Sequence, residues 1–192
     1  MSFYLKKALL LSSIFIFTAC ASKIKTEGEK AIESFYKSYF ETLNEPNKSK
    51  PNLILSSHFS ELIAQNRKVC KEKAGSDLCG WDALHGDDYL NAQEIDSDLT
   101  FENSEFETSE PKLNRIRVEF NVFPSAKVNK SSYNRVIEYI MIREESSLVV
   151  DDIITDGKSL KKLLTDEIEI YKGTDSKKNS HQNLVSIIVT QK

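Results

Sequence analysis

Ile32, Phe35, Tyr36, Tyr39, Phe40 and Leu43 recur at offsets of three and four, the spacing that lines one side of an α-helix. This predicts a helix with a wide apolar stripe ending near Asn44, followed by a connection punctuated by Pro46 and Pro51. Rings at helical spacing read as core, not as a cofactor box. A second helix is expected with Ser57 as its N-cap and Phe59, Leu62 and Ile63 on one face, running toward Cys70. From Ile95 onward the period shortens to two. Ile116, Val118, Phe120 and Val122 alternate with Arg115, Arg117, Glu119 and Asn121, the pattern of an antiparallel strand with one wet face. On that face Arg115, Arg117 and Arg135 are expected opposite Glu119 and Glu138. Two more strands, Tyr133 to Arg143 and Leu148 to Ile153, flank the turn Glu144-Glu145-Ser146-Ser147. A short helix from about Ser159 to Ile170 follows, with Leu160, Leu163, Leu164 and Ile168 at helical spacing.

Helices followed by hairpin-joined strands indicate an α+β domain with its N-terminal helices packed on one face of a curved antiparallel sheet. The single domain is expected over residues 29–172, long enough to bury a real core. Residues 173–192 form a polar tail, in which Val185 to Val189 is either an added edge strand or unpacked.

The start of the chain changes the picture from fold to address. Lys6 and Lys7 precede an apolar run from Ala8 to Phe17, too short to span ~30 Å of hydrocarbon. Phe17-Thr18-Ala19-Cys20 then reads as the cleavage box of a bacterial lipoprotein: residues 1–19 as signal peptide, Cys20 as a lipidated first residue, and 20–28 as tether. Rival readings are an ordinary secreted protein or an uncleaved anchor. Acyl chains on one cysteine bury many methylenes at ~0.8 kcal/mol each and hold the protein on the membrane. Ala21 follows Cys20 where aspartate would signal inner-membrane retention. In a Gram-negative host this favours the outer membrane, facing the periplasm.

Removal of residues 1–19 leaves 24 basic against 29 acidic side chains, a formal charge of −5, which argues against nucleic acid as a partner. With Cys20 assigned to lipid, Cys70 and Cys79 are an even pair in an oxidising compartment and read as a disulfide. Closing that short loop is worth ~2–3 kcal/mol. A redox motif places two residues between its cysteines, whereas here there are eight, and no further cysteine exists to complete a zinc site.

Two acidic constellations are candidates for chemistry. Asp82, His85, Asp87, Asp88, Glu94 and Asp96, with Trp81 and Tyr89 interleaved, offer oxygens and an imidazole for a cation or for acid–base work. They lack the alternate spacing of a calcium loop, so a solvated loop is the preferred reading. Asp151 and Asp152 follow Leu148-Val149-Val150. Strict alternation would send one carboxylate into the concave side of the sheet, where burial would raise its pKa. The alternative has both capping the next turn, with Asp152 on backbone amides near Thr155 to Gly157.

The segment Asp87-Asp88-Tyr89-Leu90-Asn91-Ala92-Gln93-Glu94, the strand Ile137-Glu138-Tyr139-Ile140-Met141-Ile142, the strand Leu148-Val149-Val150-Asp151-Asp152-Ile153 and the helix from Ser159 resemble the bacterial domain-of-unknown-function 3828 family. The likeness covers roughly residues 29 to 168. That family is similar to the nuclear transport factor 2-like, cystatin-like cone, and the resemblance implies this architecture without an activity to transfer. No nucleophile, base and orienting group stand together in the pattern, so no catalysis, metal or cofactor is expected. The expected role is a non-catalytic protein-binding module held at the cell envelope, with the membrane and an envelope protein as partners. Alternatives are an immunity-type lipoprotein neutralising a periplasmic toxin, or a pocket-based ligand-binding protein or enzyme. The address has a direct test: Cys20→Ser should leave uncleaved precursor and abolish labelling by radiolabelled fatty acid, and unchanged labelling would refute it.

Overall fold

The computed structural model describes residues 24–45, 47–74, 89–127 and 130–173. The stripe of rings is the inner face of α1 (Glu27–Leu43), where Ile32, Phe35, Tyr36, Tyr39 and Phe40 are buried. Thr26 starts this helix. Its hydroxyl accepts the Glu29 N–H while the Glu29 carboxylate accepts the Thr26 N–H, so two otherwise orphaned donors are satisfied reciprocally. Asn44 ends it, donating from Nδ2 to the Leu99 carbonyl at 3.1 Å.

The second helix, α2 (Ser57–Ala74), is where expected, but its cap is Ser56 and not Ser57. Ser56 Oγ accepts the Phe59 N–H at 3.0 Å, the geometry of an N-cap bonded to the third helical residue. Ser57 turns instead to Glu144, giving its N–H and its hydroxyl to that carboxylate.

Five strands follow: β1 (Glu107–Lys112), β2 (Arg115–Asn121), β3 (Asn134–Glu144), β4 (Ser147–Thr155) and β5 (Lys158–Ser159). They pair antiparallel in the order β1-β2-β3-β4-β5 as a curved open sheet. The alternation in β2 is as expected through Phe120, with Ile116, Val118 and Phe120 buried. Asn121, expected on the wet face, is buried too, its Nδ2 donating to Asn134 Oδ1 and its Oδ1 accepting the Phe123 N–H. Arg115 pairs with Glu138 and Arg117 with Glu119, while Arg135 donates to the carbonyls of Asn91, Ser132 and Asn134. The turn between β3 and β4 tightens to Glu145-Ser146, with Glu145 at φ 53°. Between β4 and β5, Asp156 and Gly157 both take positive φ (51° and 74°), as a two-residue hairpin turn requires.

Two stretches depart from expectation. The period-two pattern does not begin at Ile95: residues 95–106 are irregular backbone with turns at 97–98 and 101–105. There Asn103 Oδ1 accepts the Thr100 N–H and Thr100 Oγ1 accepts the Asn103 N–H, side-chain bonds that compete with a strand ladder. Conversely β1 (Glu-Thr-Ser-Glu-Pro-Lys) is a strand with no large apolar residue. It sits at the sheet edge, and Pro111 falls where the register shifts between Ser109 and Lys112, a place a residue without an N–H can occupy.

The last helix, α3 (Leu160–Gly173), buries Leu160, Leu164 and Ile168. It runs parallel to α2: Ser56 and Lys161 meet at Asp151, Asn66 bonds Glu167, and Cys70 lies by Tyr171.

The concave side of the sheet is filled by rings. Tyr36 packs on Phe106 and Phe120 with centroids 5.0 and 5.4 Å apart, and Phe40 on Phe101 and Phe120. At the centre the Tyr36 and Tyr139 hydroxyls lie 2.7 Å apart, and Tyr36 donates onward to the Tyr89 carbonyl at 2.7 Å. Desolvation pushes the Tyr139 phenol well above its ordinary pKa. The chain of bonds is asymmetric, because Tyr139 reaches the carbonyl only through Tyr36. Tyr36→Phe therefore strands a buried donor and should cost ~2–3 kcal/mol, against ~1 kcal/mol for Tyr139→Phe. Urea denaturation of the two variants reads the difference; equal losses would refute the asymmetry.

Candidate functional site

Asp151 and Asp152 are brought together by a β-bulge. Ile140 pairs with Asp152 but Met141 pairs with Val150, leaving Asp151 as an extra residue on β4. Strict alternation is lost there, so the expectation that the two carboxylates take opposite faces is corrected. Both engage Lys161. Asp151 accepts its ammonium at 3.0 Å with each oxygen, and Asp152 Oδ1 accepts its backbone N–H at 3.0 Å.

The two aspartates also hold one cap serine each. Ser56 Oγ donates to Asp151 Oδ1 at 2.7 Å and accepts the Phe59 N–H of α2. Ser159 Oγ donates to Asp152 Oδ2 at 2.6 Å and accepts the Lys162 N–H of α3. Asp152 does act as a cap, but at the start of α3 and not in the turn Thr155 to Gly157. The surroundings of Asp151 favour its charged form. Burial opposes ionisation of Asp151, but hydrogen bonds from Ser56 and Lys161, with the charges of Lys161 and His58 nearby, together hold its carboxyl below the ordinary 3.8.

Of the other constellation, Tyr89, Glu94 and Asp96 fall among the described residues. Tyr89 stacks edge-on against Phe35 and Tyr39. Asp96 accepts both the hydroxyl and the N–H of Ser125, bonds that lower its pKa and staple the turn region to the β2–β3 connection. Trp81, Asp82, His85, Asp87 and Asp88 lie outside the described residues, as do Cys20 and Cys79. Cys70 is buried on α2, with Sγ 3.8 Å from the Tyr171 hydroxyl. Among the described residues no three His, Cys, Asp or Glu side chains are grouped to hold a metal ion, and no helix is long and apolar enough to cross a membrane.

A second feature was not anticipated. Lys37, Phe101, Glu102, Glu105, Phe106 and Glu107 line an open groove of about 590 Å³ beside the start of β1. Its floor is aromatic and its rim acidic. Lys37 Nζ stands 5.2 Å from the Phe101 ring centroid, within cation–π range. A strand edge and a groove with glutamates on the rim suit an extended, basic segment. No family model, curated protein or solved structure matches this chain. Its chemistry rests on geometry alone: a carboxylate pair committed to helix starts, an interior closed by rings, and a groove at an open edge. Sequence pattern missed the groove because β1 carries no apolar alternation; the only signal was Phe101 and Phe106 standing outside any periodic run.

The bulge sets a stability test with a defined sign. A carboxylate whose folded pKa lies below its unfolded one contributes stability above the unfolded value, and this is lost as pH falls through the folded pKa. Asp151→Asn should therefore flatten the fall in stability below about pH 4 while Asp152→Ala, losing contacts to Ser159, Ile153 and Lys161, should cost ~1–2 kcal/mol at neutral pH. Thermal melts from pH 2 to 7 measure both; an unchanged acid limb in Asp151→Asn would contradict the assignment.

Proposed function

We propose that this protein is a lipid-anchored lipoprotein of the cell envelope, facing the periplasm, that works by binding another protein and not by catalysis. The observation that carries this reading is the open edge of β1 beside the Phe101–Phe106 groove. Among the described residues β1 pairs only with β2, leaving the backbone donors and acceptors of its outer side for an added strand. Exposed Glu102, Glu105 and Glu107 select a basic partner segment. The rings of α1 occupy the space that a ligand chamber would need, which favours an outer surface for recognition. In this reading the domain is a nuclear transport factor 2-like cone of the domain-of-unknown-function 3828 kind, with Cys20 lipidated and Cys70 bridged to Cys79.

The acidic rim also favours a second reading, an immunity-type lipoprotein that masks a basic toxin. In both readings the charge of the rim decides affinity. Glu102→Lys, Glu105→Lys and Glu107→Lys together should reproduce the phenotype of deleting the protein, whereas His85→Ala with Asp152→Asn should leave function intact. If the second variant folds normally by circular dichroism yet loses function as completely as the deletion, the binding reading is wrong and these side chains are catalytic.

A further inference from the structure

We infer that the turn-bearing end of the sheet beside the N-terminus of α1 rests on the lipid surface, with Leu113 and Ile24 entering the interface. This rests on the lipid-anchor reading of Cys20 and adds an orientation to it.

The argument starts at Gly28. A Cβ there would stand 2.7 Å from Ile116 Cδ1 and 3.6 Å from Leu148 Cδ2, so the first turn of α1 lies directly on the beginnings of β2 and β4. Those beginnings adjoin the β1–β2 and β3–β4 turns, and the capping box of Thr26 and Glu29 fixes the chain at this end. Cys20 and Thr26 are six residue steps apart. At no more than ~3.6 Å each, they keep this end within roughly 20 Å of the lipidated residue.

Apart from Ile170 near the end of α3, 42% exposed, the exposed large hydrophobics among the described residues lie toward this end. Among the described residues the large hydrophobics most open to solvent are Ile24 and Leu113, each 87% exposed, then Ile54 at 68%. Ile24 lies four residues before Gly28. Leu113 is in the two-residue β1–β2 turn, where Asn114 (φ 60°) supplies the left-handed residue and nothing in the turn geometry calls for a leucine. Ile54 accepts the Val150 N–H, beside the first half of β4. Aliphatic side chains held at the end nearest an anchored residue gain apolar burial by entering the membrane interface.

Basic charge is balanced at this end, exposed Lys112 beside Leu113 being offset by Glu110 of β1 and Glu145 of the β3–β4 turn, and this distinguishes the mode of contact. Lys25 pairs with Glu33, Arg143 with Glu27, and Arg115 with Glu138. Insertion is thus apolar, and it should persist in high salt, unlike adsorption of a basic patch onto anionic lipid.

The test uses the full-length lipidated protein in phosphatidylethanolamine and phosphatidylglycerol vesicles whose acyl chains carry bromine. Leu113→Trp is compared with Lys127→Trp, which lies beyond the far end of β2, and Trp81 contributes to both alike. Leu113→Trp should be blue-shifted and lose about half its emission, with Lys127→Trp unaffected and high salt changing neither. Ile24→Trp provides an independent reporter if Leu113→Trp folds poorly. Equal quenching at the two positions in protein shown to carry labelled fatty acid would overturn the orientation and leave the anchor intact. A blue shift at Leu113→Trp without bromine quenching would also overturn it, because a protein would then cover this end. Absence of fatty acid, with the protein washing off the vesicles, would overturn the anchor and the orientation with it.

Discussion

A helix begins with N–H groups that have no partner and with a partial positive charge. In this molecule two helices begin at the same place. The starts of α2 and α3 lie together at β4 and the helices run side by side in parallel, so their positive ends repel. Asp151 and Asp152 resolve this by putting two carboxylates between them, each held by the hydroxyl of the serine that caps one helix. Adjacent residues of a regular strand face opposite ways, and only the bulge in β4 lets both carboxylates reach the helices. The placement of α2 and α3 therefore follows from one extra residue in one strand.

The other half of the architecture depends on α1. Its rings occupy the concavity of the sheet, meeting Phe101, Phe106, Phe120 and Tyr139 from the opposite wall. Ring pairs of this kind add ~0.5–1.5 kcal/mol each beyond their area burial. A curved sheet makes a natural chamber, and this sequence spends it on packing. What the surface offers, among the described residues, is the open groove beside β1, rimmed by Glu102, Glu105 and Glu107.

Legibility from sequence followed the strength of the physical signal. The stripe on α1, the alternation of β2 and the β3–β4 hairpin were readable because burial on one face imposes a period. β1 was not, since Glu107 to Lys112 pairs through its backbone and has no apolar side chain to register a face. The cap of α2 was misplaced by one residue because Ser56 and Ser57 are equally able to cap; Glu144, distant in sequence, decides between them by engaging Ser57. The bulge leaves no mark in residue types, so the roles of Asp151 and Asp152 were separable only once Ile140 and Met141 fixed the register. Cys79, Asp82, His85, Asp87 and Asp88 fall outside the described residues.

The clamp at Asp151 also bears on the order in which the chain folds. Ser56 and Asp151 are 95 residues apart, and Asn66 and Glu167 are 101 apart. Contacts this distant must close large loops before they return any stability, which slows folding. During synthesis α2 emerges early, yet its dock on β4 and its neighbour α3 are made almost last. Its apolar face, like the ring face of α1 whose Tyr36 meets Tyr139 103 residues later, stays uncovered through that interval.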